Sequence, residues 1–212
     1  MQRQIRWIVC LGLIFAVLLL SGCLFNIFQT ARLVHSGDVA LVVGAGFLNI
    51  SIADEEPLWT ATPQARLTFG LSDRVNLGLQ TGVAVPLTSG TAGWMGASGD
   101  VKFSIVDDPH SFSLAVGVGG GSNIELLGWG VFGEVFLDSN LRAFPVFIAY
   151  QPTVPLAGQN LAIWHHLAVG LKLRLSERAR LLLQVDLRVP LLSFGLAADI
   201  GHRPLLGDRV LE

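Results

Sequence analysis

The chain has 212 residues, with 14 Lys and Arg against 16 Asp and Glu, a net charge of −2, 51% hydrophobic residues and only 14% charged ones. The mean hydropathy is +0.58 and the pI about 6.2. A soluble domain averages about 25% charged residues, and nothing here offers the clustered basic surface that nucleic acid requires; the chain is apolar, yet past its first segment no apolar stretch is as long as a membrane helix.

That first segment fixes the compartment. Arg3 and Arg6 form a short positive start, Ile8 to Leu20 is an apolar run broken only by Gly12, and Leu20-Ser21-Gly22-Cys23 closes it. A basic start, an apolar middle and small residues at the cut are the layout of a secretory signal peptide. The apolar run falls short of the roughly 20 residues that span a bilayer. Leu20-Ser21-Gly22-Cys23 resembles the lipobox of bacterial lipoproteins. The resemblance implies cleavage after Gly22, a diacylglyceryl thioether on Cys23 and acylation of the new amino group. Two or more acyl chains anchor a protein stably where one binds only marginally. Leu24 stands where such lipoproteins often carry the Asp that favours inner-membrane retention, so onward export is permitted. Of the two cysteines, Cys10 leaves with the signal peptide, which leaves no free thiol for a disulfide, a metal or catalysis. The expected organisation is therefore a signal peptide at 1–22, a lipidated segment at 23–37, a barrel at 38–203 and a tail at 204–212.

From Asp38 onward the pattern has period two, the signature of strands with two unlike faces. Ten segments read this way: Val39 to Leu48, Pro63 to Leu71, Val75 to Val85, Met95 to Ile105, Phe112 to Gly119, Leu127 to Leu137, Phe144 to Gln151, Leu167 to Leu175, Leu181 to Val189 and Leu192 to Ile200. In the clearest, Val75, Leu77, Leu79, Thr81, Val83 and Val85 oppose Asn76, Gly78, Gln80, Gly82 and Ala84. In Leu127 to Leu137 the face carrying Glu134 also carries Phe132 and Phe136, and Pro63 and Pro145 interrupt two segments, where neither can donate to a ladder. Tight polar turns (Ser72 to Arg74, Asp107 to His110, Asp138 to Asn140, Ser176 to Arg180) alternate with a second set of connections, several of them longer (Asn49 to Pro57, Pro86 to Gly93, Gly120 to Glu125, Pro152 to Asn160, Pro190 to Leu191). Short turns on one rim and longer loops on the other predict an all-β, antiparallel up-and-down transmembrane barrel of about ten strands, or eight. Both chain ends then lie on the short-turn, periplasmic side.

Trp59, Trp94, Trp129 and Trp164 follow one another at intervals of 35 residues, which marks a repeated strand pair. Gathered at one rim they would form an aromatic girdle at the lipid headgroups. Strict alternation nevertheless puts Trp59 and Trp129 on the apolar face and Trp94 and Trp164 on the polar one, unless a bulge intervenes. The polar face is mostly small residues with a nearly balanced set of charges: Arg66, Lys102, Lys172, Arg174 and Arg188 against Asp100, Glu134, Asp186 and Asp199. Such a set suits pairing inside a narrow lumen, because an unpaired buried charge is costly. Gly44-Ala45-Gly46 and Gly117 to Gly121 complete no G-x-G-x-x-G and fit small luminal positions better than a nucleotide loop.

The mature region also resembles small outer-membrane β-barrel proteins of Gram-negative bacteria, in lipoprotein form. The resemblance rests on Gly70-Leu71-Ser72-Asp73-Arg74-Val75-Asn76-Leu77-Gly78, on Gly99-Asp100-Val101-Lys102-Phe103, on Gln29-Thr30-Ala31-Arg32 and on the overall meander. It implies a membrane-lipid environment, passage through the lipoprotein export and barrel-assembly machinery, no nucleic-acid partner, and no cofactor beyond the lipid on Cys23. The expected role is structural, surface-interacting or a narrow pore, without enzymatic activity and without a metal. Two alternatives stand. A lipid-tethered soluble barrel would bury Leu77, Leu79, Phe103, Leu171 and Leu187 around a small hydrophobic ligand. A rim-active enzyme would draw on His165 and His166 with Asp54, Glu55, Glu56, Ser122 and Glu125 in the outer connections.

Overall fold

The computed structural model describes residues 29–50, 58–87, 92–108, 110–123, 128–139, 141, 145–156, 163–176, 178–186 and 191–200. The expected signal peptide, Cys23 and the expected 204–212 tail lie outside them, as do Arg188, Leu187, Asp54, Glu55, Glu56 and Glu125.

Among the described residues ten antiparallel strands close into a barrel: β1 (Val39–Ile50), β2 (Leu58–Ser72), β3 (Val75–Pro86), β4 (Gly93–Asp107), β5 (Phe112–Asn123), β6 (Gly128–Ser139), β7 (Val146–Pro155), β8 (Trp164–Arg174), β9 (Ala179–Asp186) and β10 (Leu191–Asp199). Each strand pairs with its sequence neighbours, and β1 closes the ring on β10 from Ala40 opposite Asp199 to Phe47 opposite Leu192. Closure leaves no edge, so every strand finds a ladder partner on both sides.

The faces are sorted opposite to a soluble barrel. Buried positions along β2 are Thr60, Thr62, Gln64, Arg66 and Thr68, while Trp59, Leu67 and Leu71 lie exposed. The same holds around the ring: Asn76, Gln80, Ser98, Asp100, Lys102, Glu134, Gln151, His166, Lys172, Gln184 and Ser193 are inside, and Val43, Phe103, Val118, Val135, Leu171 and Phe194 are outside. Of the residues the soluble alternative would place around a ligand, Phe103 and Leu171 are among the exposed ones, and Leu77 and Leu79 lie on the outward register of β3.

Several elements differ from the sequence expectation. β2 begins at Leu58, five residues before Pro63. Pro63 faces outward opposite Ala45, and the β2–β3 ladder passes from Ala61 opposite Val85 directly to Gln64 opposite Gly82. The missing N–H thus falls where the ladder is already interrupted. Pro145 stands just ahead of β7 and contributes only its carbonyl, which accepts from Lys172 N at 2.8 Å. β5 runs on to Asn123, so Gly120 to Ser122 belong to a strand rather than to a loop. In the β4–β5 turn the Asp108 carboxylate accepts from His110 N at 2.8 Å and from the Ser111 hydroxyl at 2.7 Å. These bonds hold its carboxyl below the usual carboxylate range, the His110 contact contributing most.

The largest departure is at the N-terminal end. The described part of the segment expected to carry the lipid, residues 29–37, runs into the barrel: Gln29, Ala31, Leu33 and Val34 are all buried. It enters past a turn at Gly37, whose φ of 86° is a left-handed conformation that favours glycine. Gly37 N donates to Gly70 O at 2.8 Å, and Gly70 N to Asp38 O at 3.0 Å. A Cβ on Gly70 would collide with the His35 carbonyl, so glycine at 70 is what lets the entering chain lie against β2.

Candidate functional site

The interior is the chemically distinctive part of the molecule. At its centre Arg66 of β2 reaches across β3 to Asp100 of β4, with Nη1 to Oδ2 at 2.7 Å and Nη2 to Oδ1 at 2.9 Å. Both side chains are almost fully buried. A two-pronged Arg–carboxylate pair is the strong form of a charge-assisted hydrogen bond. The strand between them presents Gly78 there, and any Cβ at 78 would overlap the Arg66 guanidinium. A second pair repeats the plan: Lys172 of β8 spans β7 to Asp138 of β6, Nζ to Oδ2 at 2.8 Å.

The remaining interior charges meet the N-terminal segment. Lys102 Nζ donates to the carbonyls of Thr30 at 2.7 Å and Arg32 at 3.3 Å, and sits 5.2 Å from the centre of the Phe136 ring. Ala31 N donates to Asp138 Oδ1 at 2.9 Å, and Gln29 Nε2 to Glu134 Oε1 at 3.0 Å. Higher in the lumen Gln80 bonds Gln64 at 2.8 Å, and His166 Nδ1 lies 3.7 Å from Asp186 Oδ2.

Glycines on one strand make room for bulky groups on the next. Phe132 stands opposite Gly119, Glu134 opposite Gly117, and Phe147 opposite Gly170. A Cβ at 119 would come within 2.5 Å of both the Phe132 ring and the Gly99 carbonyl. This large-against-small matching is how a narrow barrel is filled without voids. It also settles the face shared by Phe132, Glu134 and Phe136, which points inward. Gly170→Ala would press a methyl into the Phe147 ring and the Leu183 carbonyl. Its expected cost is about 1–3 kcal/mol, the usual penalty of overpacking. Gly133→Ala, whose Cβ would meet only Pro152 Cγ at 3.8 Å, should cost little; urea unfolding of the two variants in micelles compares them.

Of the charges assigned to the lumen from sequence, Arg66, Asp100, Lys102, Glu134, Lys172 and Asp186 are buried there. Arg174 is a correction: it ends β8 at the short-turn rim and is exposed, because the lumen opens to solvent at that level. Asp199 is half-buried at the same rim, lining with Arg32, Arg66, Lys102 and Arg180 a cavity of about 60 Å³ beside the N-terminal segment. That volume is far below the roughly 300–1,000 Å³ of a small-molecule site. Sequence reasoning missed Asp138, which it placed in a turn, and the whole of Gln29 to Val34. Continued alternation from Glu134 and Phe136 was the available signal for Asp138.

The tryptophans divide. Trp59 and Trp94 are 48% and 55% exposed, and Trp129 shares the outward register of β6 with Val131. Trp94 reaches the outside through a bulge: Gly82 pairs with Gly96 but Val83 with Trp94, leaving Met95 unpaired. Gly96 there has φ of 139°, which favours glycine. Trp94 Nε1 then donates to Thr81 Oγ1 at 3.3 Å. Trp164 is a correction to the four-membered girdle: its register with β7 runs unshifted from Thr153 opposite Trp164 to Val146 opposite Leu171, and it packs inward on Phe132. The two adjacent histidines point to opposite faces, His166 buried and His165 exposed with its Nδ1 2.7 Å from the Tyr150 hydroxyl. Ser122 is half-buried near the end of β5. Among the described residues no group of three or more His, Cys, Asp or Glu could hold a metal ion.

No family model and no curated protein matches the chain. Among solved structures it is similar to a barrel from work described as de novo design of transmembrane β-barrels. The identity is 13%, 79% of this chain and 98% of that chain are covered, and the TM-score is 0.37.

Proposed function

We propose that this chain is an outer-membrane β-barrel lipoprotein, anchored through Cys23 and spanning the bilayer with its ten strands, whose role is structural or surface-interacting rather than enzymatic. One observation carries the reading: away from the rims the closed barrel keeps its charges inside and turns Leu, Val, Ile and Phe outward all round the ring. Hydrocarbon is the solvent that makes such a surface stable, since apolar area exposed to water is unfavourable by roughly 25 cal/mol per Å². Strands of 8 to 15 residues bracket the 9–11 or so that a tilted membrane strand needs. Trp59, Trp94 and Trp129 on the outward register at the rim opposite the short turns suit the headgroup zone. The interior is filled by paired side chains and by the N-terminal segment, which favours a closed lumen at rest over an open channel.

The anchor and the barrel are tested separately. Cys23→Ser should abolish metabolic lipid labelling, and signal-peptidase inhibition with a globomycin-type compound should accumulate the precursor. The barrel should extract only with detergent and migrate faster unheated than boiled on a gel. A water-extractable chain with no heat-dependent shift would refute the membrane reading whatever happens to the lipid.

A further inference from the structure

The lumen holds a length of extended peptide, and the wall is built to hold it. We infer that the inner wall around Lys102, Glu134, Asp138 and Gly70 is a peptide-binding site, that residues 29–36 are its resident ligand, and that their withdrawal opens an ion path through the barrel. The inference rests on the membrane-barrel reading and goes beyond it.

Four observations support it. First, the wall holds the segment mainly by its backbone, with one side-chain bond, Gln29 to Glu134, in addition. Lys102 takes two carbonyls of the segment, Asp138 takes the Ala31 N–H, and Gly70 leaves bare space for the His35 carbonyl. A chain inside a barrel must have its N–H and C=O groups satisfied by the wall, and here wall side chains do it. Second, the segment lies outside the strand ladders of the barrel: β1 starts at Val39, beyond the Gly37 turn. It can leave without unpairing a strand.

Third, the wall balances without it. Beside the segment Arg66, Lys102 and Lys172 face Asp100, Glu134 and Asp138, with Arg180 and Asp199 of opposite sign at the rim; the remaining buried acid, Asp186, stands by His166 with Oδ2 3.7 Å from Nδ1. Arg66–Asp100 and Lys172–Asp138 are paired with each other already, and departure leaves Lys102 and Glu134, of opposite sign, in the same lumen. A lining that remains neutral makes the empty state accessible, where an uncompensated buried charge would forbid it. Fourth, the contact at Gln29, the first described residue, is only partly satisfied. Gln29 Oε1 and Glu134 Oε2 are buried with no hydrogen-bond partner among the described residues, and a buried acceptor left unbonded weakens the docking of the group that carries it.

The test is conductance across planar bilayers of the purified full chain. The parent barrel should be mostly closed. Gly70→Val fills the space used by the His35 carbonyl, and Ala31→Pro removes the N–H that Asp138 accepts; neither adds or removes a wall charge. Both should raise the open fraction at least tenfold, with Gly133→Ala unchanged. Heat-dependent gel migration of each variant shows whether it is a folded membrane barrel. A parent chain that fails to insert counts against the membrane reading. Variants that insert and stay as silent as the parent overturn the peptide site. Should both variants fail to fold, Thr30→Cys in the otherwise native barrel decides, with the parent chain as background. Reaction with a water-soluble maleimide while the barrel remains folded supports withdrawal, and reaction only on unfolding overturns it.

Discussion

Arginine placed at Val118 should destabilise the barrel by about 2–4 kcal/mol, and arginine placed at Ile105 by only about 0–1 kcal/mol, because a lipid-facing cation is penalised by its depth in the bilayer. The two positions are matched in the protein itself, each 58% exposed. They differ in height: Val118 stands at the middle of β5 and Ile105 close to the short-turn end of β4. A barrel standing in water would accept both substitutions within roughly 0.5 kcal/mol, as surface changes usually are. Equilibrium urea titrations in vesicles, monitored by tryptophan emission, give the two values. A difference of 1 kcal/mol or more in the stated order identifies hydrocarbon as the surroundings of β5, and equal small losses would exclude it.

Asp100→Ala should cost about 3–5 kcal/mol, since it strands the Arg66 guanidinium in the interior without its bonded carboxylate. Asp100 is buried, and two hydrogen bonds to Arg66 depend on it. The double variant Arg66→Met with Asp100→Leu removes both charges and keeps the volume, and should recover most of that loss. Replacing a buried pair by apolar groups is often neutral or stabilising. The comparison separates a pair that stabilises from one that is merely intolerant of being broken. The same urea titration reads it, and a double variant as unstable as Asp100→Ala would show that the pair's shape over Gly78, rather than its charge balance, is what the fold requires.

Much of this architecture was legible in the sequence because a barrel imposes one rule on every strand. Ten alternating segments gave the ten strands and their short-turn rim, and six of the nine charges assigned to the small-residue face lie buried inside. What was not legible depends on backbone events or on distant partners. The bulge that turns Trp94 outward is a single unpaired Met95 beside Gly96, one glycine among 24. Strict period two therefore fails for Trp94 and holds for Trp164, which does point inward. Asp138 looked like a turn residue because Ser139 and Asn140 follow it, yet it is the last inward position of β6. The luminal segment alternates only over Gln29 to Leu33, too short a run to announce itself. Its contacts join residues 105 and 107 positions apart, Gln29 with Glu134 and Ala31 with Asp138, and no local pattern encodes such a pairing. Only the finished ring creates the space that those residues fill.

The account turns on what surrounds the outward Leu, Val, Ile and Phe side chains. The most direct measurement is sedimentation of the folded barrel, with the proposed acyl anchor removed by Cys23→Ser, after transfer from detergent into plain buffer. The prediction is polydisperse aggregate, with a folded monomer returning only when micelles or vesicles are supplied. A single folded monomer persisting in buffer alone would contradict it.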